Sequence, residues 1–109
     1  MEKLTSRELS PLFEKGRRKR GKVLDLYWMP SDSFKVAVLL TRKVKGSVVR
    51  SKTRRRVKEA LRLLLPEVKR GCHIAVVVRN GDKDYWELLR ELKDLLRSVG
   101  LLCGRRYGA

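Results

Sequence analysis

The sequence predicts an α/β fold, in detail an α+β two-layer sandwich with an N-terminal helix, a mostly antiparallel sheet of about four strands, a basic central helix and a C-terminal helix. Three observations predict it. Apolar residues recur at three- and four-residue spacing over 49–64 and again over 88–99, the period of a helix with one face on a core. β-Branched and leucine-rich runs, VLDLYWM, FKVAVLLT and HIAVVVR, have the length and bounds of strands. The order is helix, strands, helix, strand, helix. With 42% hydrophobic residues in 109, the chain can bury one real core and is too short for two, so a single domain is expected, with its core at about 4–99 and a flexible tail over 100–109.

In chain order, Thr5 followed by Glu8 is a capping-box pattern, and Leu9, Leu12 and Phe13 give the helix an apolar face before Gly16 ends it. Pro11 admits a second start, with Ser10 as cap and Pro11 at the first helical position, because a later proline removes a helical hydrogen bond. A basic run, Lys15, Arg17, Arg18, Lys19, Arg20 and Lys22, leads into the strand Val23 to Met29. Pro30 to Ser33 is the turn to a second strand, Phe34 to Thr41. After the central helix, Pro66 and Gly71 mark a connection to the apolar strand His73 to Arg79, a sheet-centre composition. Asn80-Gly81 is a turn signal. Asp84 with Glu87 caps a last helix through Val99, whose Leu88, Leu92, Leu95, Leu96 and Val99 form its core stripe and Gly100 its stop. Trp28 and Trp86 read as packing residues.

The central segment carries the functional signal. Between Thr41 and Arg62 stand ten basic residues against the single acid Glu59. Val49, Thr53, Val57, Ala60, Leu61 and Leu64 make one helix face apolar, while Arg50, Arg54, Arg55, Lys58 and Arg62 stack on the other. Like charges four residues apart destabilise a helix by roughly 0.2–0.5 kcal/mol per pair, so a solubilising face would be expected to interleave acids, and a phosphate-binding face would not. The whole chain agrees, with 28 Lys+Arg against 12 Asp+Glu and a net charge of +16. Binding to anionic lipid would need an apolar face beyond those the core uses.

Other classes are excluded. No run of eighteen apolar residues and no apolar leader is read in the sequence, so a cytoplasmic protein is expected. Cys72 and Cys103 form no CxxC pair and His73 is the only histidine, so no zinc site and no catalytic constellation is expected. His73, opening an apolar strand, reads as structural.

The run from Thr41 to Glu59 resembles the signature of the protein subunit of bacterial ribonuclease P. The matching residues are Thr41, Arg42, Lys43, Lys45, Ser47, Val48, Arg50, Ser51, Arg54, Arg55, Lys58 and Glu59, with the spacing kept throughout. The flanks agree: a leading helix with Phe13 and then Gly16, a strand carrying Tyr27, and an apolar strand closed by Arg79, so that the likeness covers roughly residues 4–99. Departures are Lys45 in the place of a glycine, with Gly46 one position later, Ser51 for an asparagine, Leu9 for an aromatic and His73 where an acid is common. A serine hydroxyl cannot replace an amide that donates and accepts at once.

The resemblance implies a ribonucleoprotein whose RNA subunit holds the catalytic Mg2+ and removes the 5′ leader of precursor tRNA, with no catalytic residue or metal ligand in this chain. It implies that Arg42, Lys43, Lys45, Arg50, Ser51, Lys52, Arg54, Arg55, Lys58 and Arg62 face the RNA subunit. It implies further that a cleft between the first helix and the sheet holds the leader, with Phe13 and Tyr27 as its wall, Leu9 beside them and Arg79 at its rim; plain core packing is the alternative for Phe13 and Tyr27. A left-handed crossover between two parallel strands is also implied, against a right-handed rule that holds in about 98% of cases. Neither membrane nor protein oligomer is needed. A small ribosomal protein would share the charge and size, and a helix-turn-helix DNA binder would need two consecutive helices where this chain has strands.

Overall fold

The computed structural model describes residues 2–102. Its centre is the most apolar run of the chain, strand β4 (Cys72–Val78), which pairs on both sides. Strand β2 (Leu24–Pro30) lies antiparallel to it, with Leu26 opposite Val76 and Tyr27 opposite Ala75. Strand β3 (Lys35–Leu40) lies parallel, with Val38 opposite Val76. A short outer strand β1 (Arg17–Arg20) completes the order β1-β2-β4-β3 by pairing antiparallel with β2. The parallel pair β3 and β4 is joined through helix α2 (Ser47–Leu64) and a single 3-10 turn, Leu65–Glu67.

β1 was legible only as a charged lead-in, since all four residues of RRKR are exposed. It becomes a strand because β2 offers an unpaired edge, Arg17 meeting Trp28 and Arg20 meeting Asp25. A row of cations on an outer strand also repels further strand addition. At the other edge of the sheet, Glu2 to Leu4 pairs alongside β3 in parallel: Leu4 N donates to the Val36 carbonyl at 3.0 Å and Val36 N to that of Glu2 at 2.9 Å.

Helix α1 (Ser6–Lys15) starts at Thr5, not Ser10. The capping box is closed in both directions, Thr5 N donating to Glu8 Oε1 at 2.9 Å and Glu8 N to Thr5 Oγ1 at 3.3 Å. Pro11 therefore lies inside the helix; it is exposed, so the Arg7 carbonyl it leaves without a helical donor faces water. Helix α3 (Tyr85–Ser98) is capped as the sequence predicts, Glu87 N donating to Asp84 Oδ1 at 2.9 Å, and Gly100 takes φ 78° beyond its end.

Even-numbered residues of β2, β3 and β4 face α2 and α3, burying Leu24, Leu26, Val36, Ile74, Val76 and Val78 against Val57, Leu61, Leu88 and Leu92. This is the expected sandwich. Odd-numbered residues face the other way, where α1 covers part of the sheet through Leu12, with Leu4 and Ala75. Three expectations are corrected. Val49, placed on the core stripe, is 38% exposed in the first turn of α2, where burial begins only at Thr53. Trp86, read as packing, is 68% exposed on the first turn of α3; Trp28 does pack against the core. The supposed tail contributes Leu101 to the core and pairs Leu102 with Val68, so the fold runs past residue 99; Cys103 and the rest of 103–109 lie outside the described residues.

Candidate RNA interface

Helix α2 buries Thr53, Val57, Ala60, Leu61 and Leu64, which leaves Arg54, Arg55, Lys58, Arg62 and Ser51 on a continuous outer arc at 100° per residue. Lys52 is exposed beside them. No acid stands in the first turn of α2, and its cap is Gly46 at φ 90°, without a side-chain hydrogen bond. The first N–H groups of α2 have no partner within the helix, and beside that end lies a depression of about 300 Å³ lined by Ser47, Val48, Ser51, Lys52 and Arg55. Anions are favoured at such an end by the helix dipole.

The preceding loop is held in place from within. Val44 is 2% exposed, and Arg50 folds back so that its Nη1 donates to the carbonyls of Thr41 at 3.0 Å and Val44 at 2.7 Å. Arg50, predicted on the exposed stripe, thus braces the loop that presents Arg42, Lys43 and Lys45, all three exposed. Two further side chains of α2 fix its other flank: Arg56 Nη1 donates to the Lys83 carbonyl at 3.1 Å, and Thr53 Oγ1 to that of Gly81 at 3.5 Å.

At the sheet margin, the N-terminal segment brings Lys3 against α2. Lys3, Arg54 and Lys58 rim a cavity of about 290 Å³ whose floor is Leu4, Leu9 and residues of β3. Desolvation lowers the Lys58 pKa, and the neighbouring charges of Lys3, Arg54 and Arg62 push it the same way. A phosphate would relieve that crowding. Lys3 was missed by periodicity, since it belongs to another element and reaches the site only through the bridge to Val36.

On the opposite face of the sheet, the Phe13 ring meets Tyr27 edge-on, with centroids 4.7 Å apart at 87°, and Phe13 is 41% exposed. Leu9 packs beside Leu4 and Leu12 in the same cluster. Arg18 of β1 stands beside this pair, its guanidinium carbon 6.0 Å from the Tyr27 centroid, and approaches Asp25 at 4.0 Å. Arg18 could have been found in the alternation of RRKR, which sends Arg18 and Arg20 to one face. Arg79 shares that face but not that place. Four residues along β4 from Ala75, its Nε donates to Asp25 Oδ1 at 3.2 Å and its Nη2 to the carbonyls of Gly21 and Lys22. It closes the sheet end instead of standing open at a rim.

Among the described residues His73 has no carboxylate partner; its Nε2 lies 3.0 Å from the hydroxyls of both Ser31 and Ser33, pinning the β2–β3 turn. Among the described residues no three His, Cys, Asp or Glu side chains gather as a metal site would require, and no helix is long and apolar enough to cross a membrane.

A three-helix, four-stranded mixed sheet fold is what the resemblance implies, and comparison with known proteins agrees on the family and the fold. The chain spans 82% of the ribonuclease P protein component of Picosynechococcus sp., to which it is 36% identical over 95 residues, or 83% of its own length. It is also 36% identical over 91 residues, 81% of its length, to that of Thermus thermophilus, of which it spans about half, 53%. In fold it matches the RNase P proteins of Staphylococcus aureus (TM-score 0.80, 16% identity, 91% of this chain and 94% of that one) and Thermotoga maritima (TM-score 0.78, 21% identity, 90% and 97%). The sequence model of the Ribonuclease P family matches residues 3–100, nearly the whole described chain, and with these relatives it shows that the chain belongs to the ribonuclease P protein family.

Proposed function

We infer that this chain uses its two faces for two RNAs: the α2 face and the 41–46 loop dock on the RNA subunit of ribonuclease P, and the surface beside Phe13 and Tyr27 receives the 5′ leader of precursor tRNA. As a member of that family it is the protein component of the ribonucleoprotein that trims tRNA 5′ ends, and the RNA subunit does the cutting. The observation that carries the reading is the acid-free outer arc of Arg54, Arg55, Lys58 and Arg62, with Lys3 converging on it. Guanidinium groups give fixed, always-charged contacts to phosphate. An exposed aromatic edge beside Arg18 suits a single strand, whose bases stack for about 1–3 kcal/mol each.

The chemistry itself is assigned to Mg2+ ions bound by the partner RNA, and this chain's residues bind and orient. Ser51 replaces an amide with one hydroxyl, so contacts on that turn rest on Arg54 and Arg55. The site of action is the cytoplasm, where precursor tRNA is made. The test is reconstitution: added to a bacterial ribonuclease P RNA at low magnesium, the chain should raise leader cleavage of precursor tRNA. Binding to that RNA with no gain in cleavage would move the chain to another structured RNA.

A further inference from the structure

Helix α3 carries a second cationic stripe that the reading above does not use. Trp86, Arg90, Lys93 and Arg97 recur at four- and three-residue spacing and fall within an arc of about 60° on the helix. The core residues Leu88, Leu92, Leu95 and Leu96 lie on the opposite side. The acids Glu87, Glu91 and Asp94 fall on an adjacent stripe and, together with Arg90 at its border, line a cavity against the β1–β2 connection, where Glu91 Oε2 accepts from Val23 N and Leu24 N at 2.8 and 2.6 Å. Among the described residues the only ion pair made by the stripe is Arg97 with Asp94 at 4.0 Å, both more than 60% exposed, where such a pair contributes little. At the head of the stripe, Trp86 is 68% exposed, and the edge-on Tyr85 ring 5.1 Å away steadies it.

An indole left in water at the end of a row of cations is the arrangement that binds single-stranded nucleic acid, a base stacking on the ring while its backbone follows the charges. The stripe also has a position. α3 packs on the same sheet face as α2, and the hydrogen bond from Arg56 to the Lys83 carbonyl holds the start of α3 against α2. The aromatic pair lies on the other face. We propose that Trp86, Arg90, Lys93 and Arg97 form a second RNA-binding surface, which extends the α2 interface and takes an unpaired segment of the RNA subunit, one base on Trp86 and successive phosphates along the cations. Its net positive charge favours this occupant over a protein partner.

The inference rests on the docking of α2 on that RNA, and the experiment separates the two. Binding of a bacterial ribonuclease P RNA transcript is measured over a range of KCl for the parent chain, Trp86→Ala, Trp86→Phe, a triple Arg90→Gln, Lys93→Gln, Arg97→Gln variant, and an Arg54→Gln, Arg55→Gln, Lys58→Gln variant of α2. Trp86→Ala should weaken binding about 5- to 150-fold with the salt slope unchanged, and Trp86→Phe should recover most of the loss. The α3 triple variant should flatten the slope of log K against log salt by about 2–3. Precursor tRNA affinity of the assembled particle should stay at the parent value. If either Trp86→Ala or the α3 triple variant binds the transcript as the parent does, the inference is overturned whatever the α2 variant shows, and the face is left to a protein partner. If the loss appears only with precursor tRNA, it is likewise overturned. A loss confined to the α2 variant leaves the docking of α2 standing alone.

Discussion

Replacing Arg54, Arg55 and Lys58 of α2 together by Gln should weaken RNA binding while leaving the fold at least as stable. Each residue lies on the outer arc, Arg54 and Lys58 also rim the cavity shared with Lys3, and none makes an ion pair among the described residues. Each phosphate neutralised contributes about 0.9 to the slope of log K against log salt, so three lost contacts flatten it by about 2.7. Between 50 and 200 mM salt, about 0.6 of a log unit, the parent should therefore lose about 40-fold more affinity than the variant. Stability should move the other way, because the Arg54–Lys58 repulsion of roughly 0.2–0.5 kcal/mol disappears and Gln keeps a similar helix propensity. Anisotropy titrations of labelled ribonuclease P RNA at four KCl concentrations read the slope, and thermal melts read the fold. A variant that binds more weakly at every concentration with the parent's slope would refute the reasoning, since its contacts would then not be phosphate contacts.

Three other outcomes follow from particular contacts. Tyr27→Ala should lower affinity for precursor tRNA by about 1–3 kcal/mol without changing affinity for mature tRNA, and equal losses on both would remove Tyr27 from the leader site. The Glu8 carboxyl is held at about 2 instead of 4.5, first by the Lys35 ammonium bonded to it at 2.8 Å and then by the Thr5 N–H. Because that pKa is depressed in the folded state, its contribution is complete above 4.5 and is lost as the pH falls toward 2. The melting difference between the parent and Glu8→Gln should accordingly shrink over that window, and a constant difference would contradict the pairing. Leu101→Ala should cost about 2–5 kcal/mol in urea denaturation, as expected for a leucine buried in the core, and a change below about 0.5 kcal/mol would put Leu101 outside it.

Much of the fold was legible because its signals are local. α2, α3 and β4 announce themselves by period and composition, and Thr5 and Asp84 by the acid three residues on. What was missed depends on partners distant in sequence. β1 has no apolar alternation and is a strand only because β2 leaves an edge for it. Lys3 joins the cations of α2 only through Val36. Val49 has the spacing for burial but sits exposed in the first turn of α2, and Trp86 has the size for burial but points away from Leu88, Leu92 and Leu95 on α3. The candidate site divides in the same way. Arg54, Arg55, Lys58 and Arg62 could be placed from spacing alone, whereas Arg50 and Arg79 lie within hydrogen-bond reach of carbonyls and a carboxylate that spacing cannot reveal. Charge alone says a cation is present, and only the fold says what already holds it.

That division has a mechanical consequence for α2. Its polar residues that do not face outward act on neighbouring loops: Arg50 closes the 41–46 loop onto the helix start, while Thr53 and Arg56 tie its flank to the carbonyls of Gly81 and Lys83. The helix is therefore clamped along its first three turns, the stretch that carries Ser51, Arg54 and Arg55. A cation on a clamped backbone loses less freedom when it meets a phosphate than one on a free helix, where each ordered long side chain costs about 0.5–1.5 kcal/mol. An extra Cβ at Gly81 would come within 2.7 Å of the Val49 side chain and 3.0 Å of Val44, so Gly81→Ala should lift that clamp without removing a single charge. RNA affinity should then fall while the salt slope keeps the parent's value, the opposite signature to the triple replacement on the arc. A Gly81→Ala chain that binds RNA with parental affinity would show that the cations need no such support.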